Sequence, residues 1–189
     1  PETPLVETMG ALAHAVKQGK ALYAGISNYP AEMSCEAARL LKEMGTPLLI
    51  HQPRYNLFDR WIENGLLDTL ENAGAGCIAF SPLAQGLLAG RYLEGIPSGA
   101  RASTPGGFLR ENTVLEKQEA VRRLAALAAG SGRTLPELAL QWVLRDPRVT
   151  SVLAGASSVL QLEQNVGAVR ARPLSPEEIH AVESALNAA

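Results

Sequence analysis

Apolar positions along the chain fall into two alternating rhythms. Leu5, Met9, Leu12, Ala13 and Val16 recur at helical spacing behind Thr3-Pro4. That pattern predicts a helix with Thr3 as N-cap, Pro4 at the first helical position and Gly19 as its stop. Residues 21–26 form a short apolar run bounded by a turn, the pattern of a buried strand, and Ser27-Asn28-Tyr29-Pro30 closes it as a loop. The two rhythms then return. A helix is predicted over about 31–44, ending at Gly45, followed by a strand over 47–51 whose end carries Gln52, Pro53, Arg54, Tyr55 and Asn56. A third helix over about 63–72 precedes a strand over 77–80. That strand must end at Ser81-Pro82, because proline cannot donate to a sheet ladder. A long stretch rich in Gly, Pro, Ser and Arg occupies about 81–109; loops of that length inside compact domains are usually functional or disordered. Helices follow over about 112–130 and 135–145, the second opened by a Thr134/Glu137 capping box with Pro136 in its first turn. A strand over 149–153, a helix over about 159–169 and a last short helix from Ser175-Pro176 complete the pattern.

Each predicted strand is nearly all apolar, which implies burial on both faces and a parallel sheet. Alternating strands and helices of this kind build either an open doubly wound sheet or a (β/α) barrel. A full (β/α)8 barrel needs roughly 250 residues and eight strands. This chain of 189 residues offers four strands and starts on a helix. The expected fold is therefore α/β: a (β/α)8 TIM barrel of which residues 1–189 supply the C-terminal half, strands 5–8 with their helices, as one domain. The other half would lie on residues outside this sequence. A half-barrel leaves two sheet edges unpaired, which is expected to drive homo-oligomerisation or aggregation.

Composition narrows the function classes. A formal net charge of −2 gives no global basic field for nucleic acid. No apolar run approaches the roughly 20 residues a membrane span needs, and no secretory signal pattern is visible. Cys35 and Cys77 fall in a predicted helix and a predicted strand, as reduced core residues do. The chain reads as soluble and cytoplasmic. His14, His51 and His180 lack metal-ligand spacing, and there is no HExxH or CxxC, so no metal site is expected. His51 ends a strand, where a packed role is favoured over a site role. Walker A, GxGxxG and GxSxG motifs are absent, and the acids and bases form no evident cluster.

The polar residues of interest all follow strands: Ser27-Asn28 the first, Gln52 the second, Ser81 the third, Gly155 and Ser157 the fourth. Parallel α/β proteins place binding groups at the C-terminal ends of their strands. Each has a plainer alternative. Ser27-Asn28 suits a turn, Gln52 a loop amide, Ser157 a helix cap and Arg91 a solvated cation. Gly155-Ala156-Ser157-Ser158 leads into a helix whose N-terminus offers free N–H groups and a positive dipole end to an anion. Gln161, Gln164 and Asn165 share one face of that helix, suited either to a flat polar group or to solvent.

Four stretches together carry a family resemblance: FSPLAQGLLAGRY (80–92), GISN (25–28), LLIHQPRYN (48–56) and VLAGASSVLQLEQNVGA (152–168). With these the chain resembles the C-terminal half of an aldo-keto reductase, of the branch holding the bacterial L-glyceraldehyde 3-phosphate reductases and the potassium-channel β-subunits. The resemblance implies a barrel that binds NADP(H) without a Rossmann motif and reduces aldehydes to alcohols. The aldehydes implied are small or phosphorylated, such as glyceraldehyde 3-phosphate or methylglyoxal. By the same resemblance Ser27, Asn28 and Gln52 would hold the nicotinamide amide and Phe80 would stack on its ring. Ser81, Pro82, Leu83, Ala84 and Gln85 would line the pyrophosphate. Arg91 and Arg101, on the 81–109 loop expected to cover the cofactor, would neutralise phosphate. Gly155 and Ser157 would meet the adenosine 2′-phosphate, with Gln161, Gln164 and Asn165 near the adenine.

Three departures matter. Relatives often carry Glu where Gln164 stands, and similar reductases carry Arg where Ser158 stands, which weakens the expected contact to a 2′-phosphate. The family's catalytic Asp, Tyr, Lys and His belong to the first four strands and match nothing here, so the sequence assigns no catalytic residue and the chain alone is expected to be inactive. The alternatives are a cofactor-binding regulatory subunit of the channel β-subunit type and an inactive half-barrel.

Overall fold

The computed structural model describes residues 2–96 and 109–187. The chain divides into two compact units: Pro1–Tyr55 with Asp59–Phe80 and Asp146–Val152, and Asn56–Phe58 with Ser81–Arg145 and Leu153–Ala189.

The first unit is a sequence of β and α elements. Helix α1 (Leu5–Lys17) precedes strand β1 (Ala24–Ser27), helix α2 (Ala31–Glu43), strand β2 (Leu48–Gln52), helix α3 (Leu66–Ala73) and strand β3 (Gly76–Phe80). Strand β4 (Val149–Leu153) completes a sheet of order β1-β2-β3-β4. Both registered pairs, β1 with β2 and β2 with β3, are parallel, as the apolar strands predict. The fold is that of a fragment of a (β/α)8 barrel.

The strands are not buried on both faces. Ala24 and Ile26 of β1 are buried while Gly25 and Ser27 are exposed, and in β4 Val149 is buried while Thr150 and Ser151 are exposed. One side of the sheet meets the apolar stripes of the helices, with Ala37, Leu40 and Leu41 of α2 and Leu66, Leu67 and Leu70 of α3 all buried. The other side mixes small and hydroxyl residues, such as Gly25, Ser27 and Thr150, with the partly exposed Ile50, Ile78 and Val152. Helix α1 also begins later than expected. Its N-cap is Pro4, at φ −57° and ψ 141°, and among the described residues no side chain caps it. The Pro4 carbonyl takes the N–H groups of Glu7 and Thr8, leaving Thr3 outside the helix. Helix α3 starts at Leu66 because Gly65 stands at φ +85°, a left-handed turn that ends the preceding 3-10 turn (Trp61–Glu63).

His51 has the packed role its position suggested. It is wholly buried, its Nε2 donates to the Tyr29 carbonyl at 3.1 Å, and its ring meets Trp61 edge-on with centroids 6.4 Å apart. Among the described residues the Nδ1 atom has no hydrogen-bond partner. Burial holds the ring below its ordinary value of 6.5, outweighing the opposing Tyr29 contact. The unfolded chain then binds more protons than the native one below pH 6.5, so stability is full above that value and falls as the pH drops through it. We expect a loss approaching about 1 kcal/mol per pH unit over that window. Urea denaturation between pH 7.5 and 5.5 checks this, and His51→Gln should flatten the slope.

The second unit is helical. A 3-10 segment (Ala84–Ala89), broken by non-helical backbone at Gln85 and Gly86, precedes α4 (Glu111–Gly130), α5 (Leu135–Val143), α6 (Val159–Arg170) and α7 (Pro176–Asn187). The 3-10 segment lies inside the stretch expected as an uninterrupted loop. The Thr134/Glu137 capping box forms with both of its bonds. Helix α5 is the core of the unit, with every residue from Leu138 to Val143 buried. Trp142 is fully buried; its Nε1 donates to Glu183 at 3.2 Å, and the Arg145 guanidinium lies 3.6 Å over its ring. Among the described residues no helix is long and apolar enough to cross a membrane.

Candidate functional site

In the first unit, β1 and β2 stop in register. Ser27 stands opposite Gln52, and its hydroxyl donates to the Gln52 carbonyl at 2.7 Å. The chain leaves β1 through Asn28, whose φ of 57° is left-handed, a conformation Asn tolerates better than most residues. That turn brings the Asn28 Oδ1 to the N–H of Arg54 at 3.0 Å. Phe80 ends β3 on the same side. Its N–H donates to the Pro53 carbonyl at 2.9 Å, and its own carbonyl accepts from the Tyr55 N–H at 3.2 Å. The half-buried Phe80 ring therefore stands on a backbone fixed from both sides. Asn28, Pro30, Arg54, Trp61 and Phe80 enclose an open depression of about 450 Å³. Of the residues expected around a nicotinamide, Asn28 and Phe80 line this depression; Ser27 and Gln52 pair with each other beside it and do not. Arg54 and Trp61 line it without having been singled out. Arg54 sits in the quoted strand-end motif, but nothing in the pattern of the chain marks Trp61, which lies nine residues past Gln52 in a 3-10 turn.

The second unit holds a larger cavity, about 600 Å³, lined by both of its expected stretches. Ser81, Pro82, Leu83, Gln85 and Arg91 come from one, and Gly155, Ser157, Gln161, Gln164 and Asn165 from the other. Ala84 is buried and faces away from the lining. Arg101 lies outside the described residues. Arg91 is the one charged group on the lining and has no ion-pair partner among the described residues.

The backbone here is unusual. Ser81 (φ 53°), Ala84 (φ 46°) and Gln85 (φ 58°) are left-handed without being glycine, and Gly86 continues the turn at φ 103°. The carbonyl of Ser81 is held by the buried Asn56 side chain at 3.1 Å and by the Ala84 N–H at 3.0 Å. With Asn28, these are the left-handed non-glycine residues among the described part of the chain.

The start of α6 is self-capped. Ser158, not Ser157, is the N-cap, and its hydroxyl accepts from the Gln161 N–H at 3.3 Å. Gln161 reaches back, its Oε1 accepting from the Ser157 N–H at 2.8 Å and the Ser157 hydroxyl at 2.9 Å. Both donors that Ser157 would offer an anion are thus spent on a carboxamide oxygen. A phosphate could use them only once Gln161 has turned away. Taken separately, the Phe80 ring beside the first unit's depression fits a flat aromatic group, and Arg91 on the second unit's cavity fits an anionic one.

The aldo/keto reductase family model matches residues 1–187. The chain belongs to this family. It is 52% identical over 182 residues to an L-glyceraldehyde 3-phosphate reductase of Escherichia coli O157:H7, covering 94% of this chain and 53% of the relative. It is 51% identical to the protein of the same name from Escherichia coli strain K12, with the same coverage. The chain thus spans about half the length of the curated relatives it matches. Among solved structures, a thermostable aldo-keto reductase in complex with the inhibitor epalrestat superposes with a TM-score of 0.70 at 27% identity, over 98% of this chain and 56% of that one. The family membership agrees with the parallel sheet.

Proposed function

We propose that this chain carries the cofactor-holding part of an NADP(H)-dependent aldo-keto reductase that reduces small or phosphorylated aldehydes to alcohols. The supporting observation is the placement of backbone strain. Left-handed non-glycine residues cost of order 1–3 kcal/mol each and persist where the surroundings over-determine them, typically at ligand sites. Asn28, Ser81, Ala84 and Gln85 are all residues that the family resemblance assigns to the cofactor. The naming of both bacterial relatives as L-glyceraldehyde 3-phosphate reductases favours a phosphorylated aldehyde.

In this reading Phe80 is the platform for the nicotinamide ring, and Ser27, Asn28 and Gln52 serve its carboxamide. Ser81–Gln85 and Arg91 serve the pyrophosphate, and Gly155, Ser157, Gln161, Gln164 and Asn165 the adenosine end. When bound, the cofactor supplies the hydride. The chain's own residues hold and orient it; the general acid that protonates the carbonyl oxygen would come from residues outside these 189.

Calorimetric titration of NADPH and NADH into the protein tests this. We expect NADPH to bind more tightly by a modest factor only, because Ser157, the residue assigned to the 2′-phosphate, has both its donors engaged by Gln161. Equal affinities would remove the NADP preference, and no binding of either would remove the cofactor reading.

A further inference from the structure

The depression beside Phe80 contains a cation that the cofactor reading does not use. Arg54 lines it, and its backbone is tied to two other lining residues. Its N–H donates to Asn28 at 3.0 Å and its carbonyl accepts from Trp61 Nε1 at 2.9 Å, while its neighbours Pro53 and Tyr55 bond the Phe80 backbone. Its guanidinium, about half exposed, is paired with Asp59. The position is therefore built, while its ion pair lies at the surface on the Arg54 side and is screened there by solvent, so the pair itself contributes modestly. Two aromatic walls, Trp61 and Phe80, with a planar cation between strand ends suit a small molecule carrying an anionic group, because guanidinium matches a phosphate oxygen pair in a bidentate fork.

We propose that Arg54 is a specificity-determining residue that binds the phosphate of a phosphorylated aldehyde substrate, with Asp59 as the internal counter-ion the phosphate displaces. The proposal rests on the reading of the chain as part of an aldehyde reductase. It adds a residue, and a reason for substrate choice, that the family resemblance does not assign. No bond is made or broken in this step; the anion exchanges one carboxylate partner of Arg54 for itself.

The test uses glycerol 3-phosphate, which has the substrate's phosphate and no reactive carbonyl, against glycerol. Binding to the chain is followed by calorimetry and by tryptophan fluorescence, since the Trp61 indole donates to Arg54. Glycerol 3-phosphate should bind and glycerol should not. Arg54→Met should weaken binding about 10- to 100-fold, the cost of losing a charge-assisted pair, and Arg54→Lys should recover part of it. Asp59→Asn should act in the opposite direction and tighten binding, because it removes the competing carboxylate while leaving the cation in place. Binding that is insensitive to Arg54, or weakened by Asp59→Asn, overturns the proposal. A parallel titration with NADPH separates the two readings. Cofactor binding together with Arg54-independent phosphate binding leaves the reductase reading standing and removes this one. Loss of cofactor binding removes both, whatever the phosphate does.

Discussion

Replacing Phe80 by Ala should lower the affinity for the nicotinamide cofactor by about tenfold and up to about 100-fold, the range expected for losing an aromatic platform under a flat ring. The expectation is specific to the ring because the backbone beneath it is secured independently. The Phe80 N–H and carbonyl bond to Pro53 and Tyr55 at 2.9 and 3.2 Å, and neither bond involves the side chain. The ring is only half-buried and borders an open depression, so its removal takes little from the core. Thermal stability should accordingly fall by only about 1–2 kcal/mol, and Phe80→Tyr, which keeps the aromatic face, should bind nearly as well as the parent. Titration of NADPH by fluorescence, with melting temperatures as the control, distinguishes the outcomes. Unchanged affinity in Phe80→Ala would show that the ring is not the platform. A large fall in stability would show that it belongs to the core.

Much of this arrangement can be read from the chain because its strands are punctuated by residues whose chemistry allows one outcome. Pro82 forbids further ladder pairing, and β3 does end at Phe80. Thr134 and Glu137 satisfy each other's backbone partners, and α5 begins there. The misplacements have physical causes of the same kind. The pattern predicts the third helix from about residue 63, but the positive φ of Gly65 interrupts it, and Glu63 instead ends a 3-10 turn. Ser157 and Ser158 are equivalent as caps in sequence; the choice falls on Ser158 because Gln161 then lies where its N–H meets the cap and its side chain reaches Ser157. Apolar composition suggested strands covered on both faces, yet composition does not say which alternate positions carry glycine and hydroxyls, and in β1 these are Gly25 and Ser27. Trp61 was not legible at all. Its place beside Asn28 and Phe80 depends on where the chain returns after β2, which no local pattern encodes.

The face of α6 that lines the larger cavity depends on a polar network behind it, and the second large effect is expected there. Arg133→Met should destabilise the protein by about 2–4 kcal/mol, in the range for breaking a buried ion pair by removing one partner. The Arg133 side chain is only 6% exposed. It donates to Glu178 at 2.6 Å, to the Gln141 Oε1 at 2.8 Å and to the Arg172 carbonyl at 3.2 Å. Gln141, itself buried, passes the connection on. Its Nε2 donates at 3.0 Å to the carbonyls of Ala168, in the last turn of α6, and Arg172, just beyond it. Methionine fills a similar volume but leaves the Gln141 oxygen and one side of Glu178 without donors, and an unsatisfied buried polar group costs more than the bond it lost. The full penalty of an isolated charge is not expected, since Glu178 keeps Arg172 and the Ser175 N–H, each at 2.8 Å. The same carboxylate sets an acid limit. Its bonds to Arg172, then Ser175 and Arg133, hold it down from 4.5 to about 2. A carboxylate with a lowered native value stabilises fully above its unfolded value and loses that contribution as the pH falls, so stability should decline from pH 4.5 towards 2. Denaturation of the parent and of Arg133→Met at pH 7 and pH 2 separates the two effects. The variant should be weaker at pH 7, and the gap should narrow towards pH 2 as Glu178 becomes partly protonated and its pairing with Arg133 matters less. A constant gap would mean that Arg133 acts through Gln141 and packing alone. Because Gln141 holds the C-terminal end of α6, Arg133→Met should also loosen the Gln161, Gln164 and Asn165 face and weaken cofactor binding, which the same titration reads.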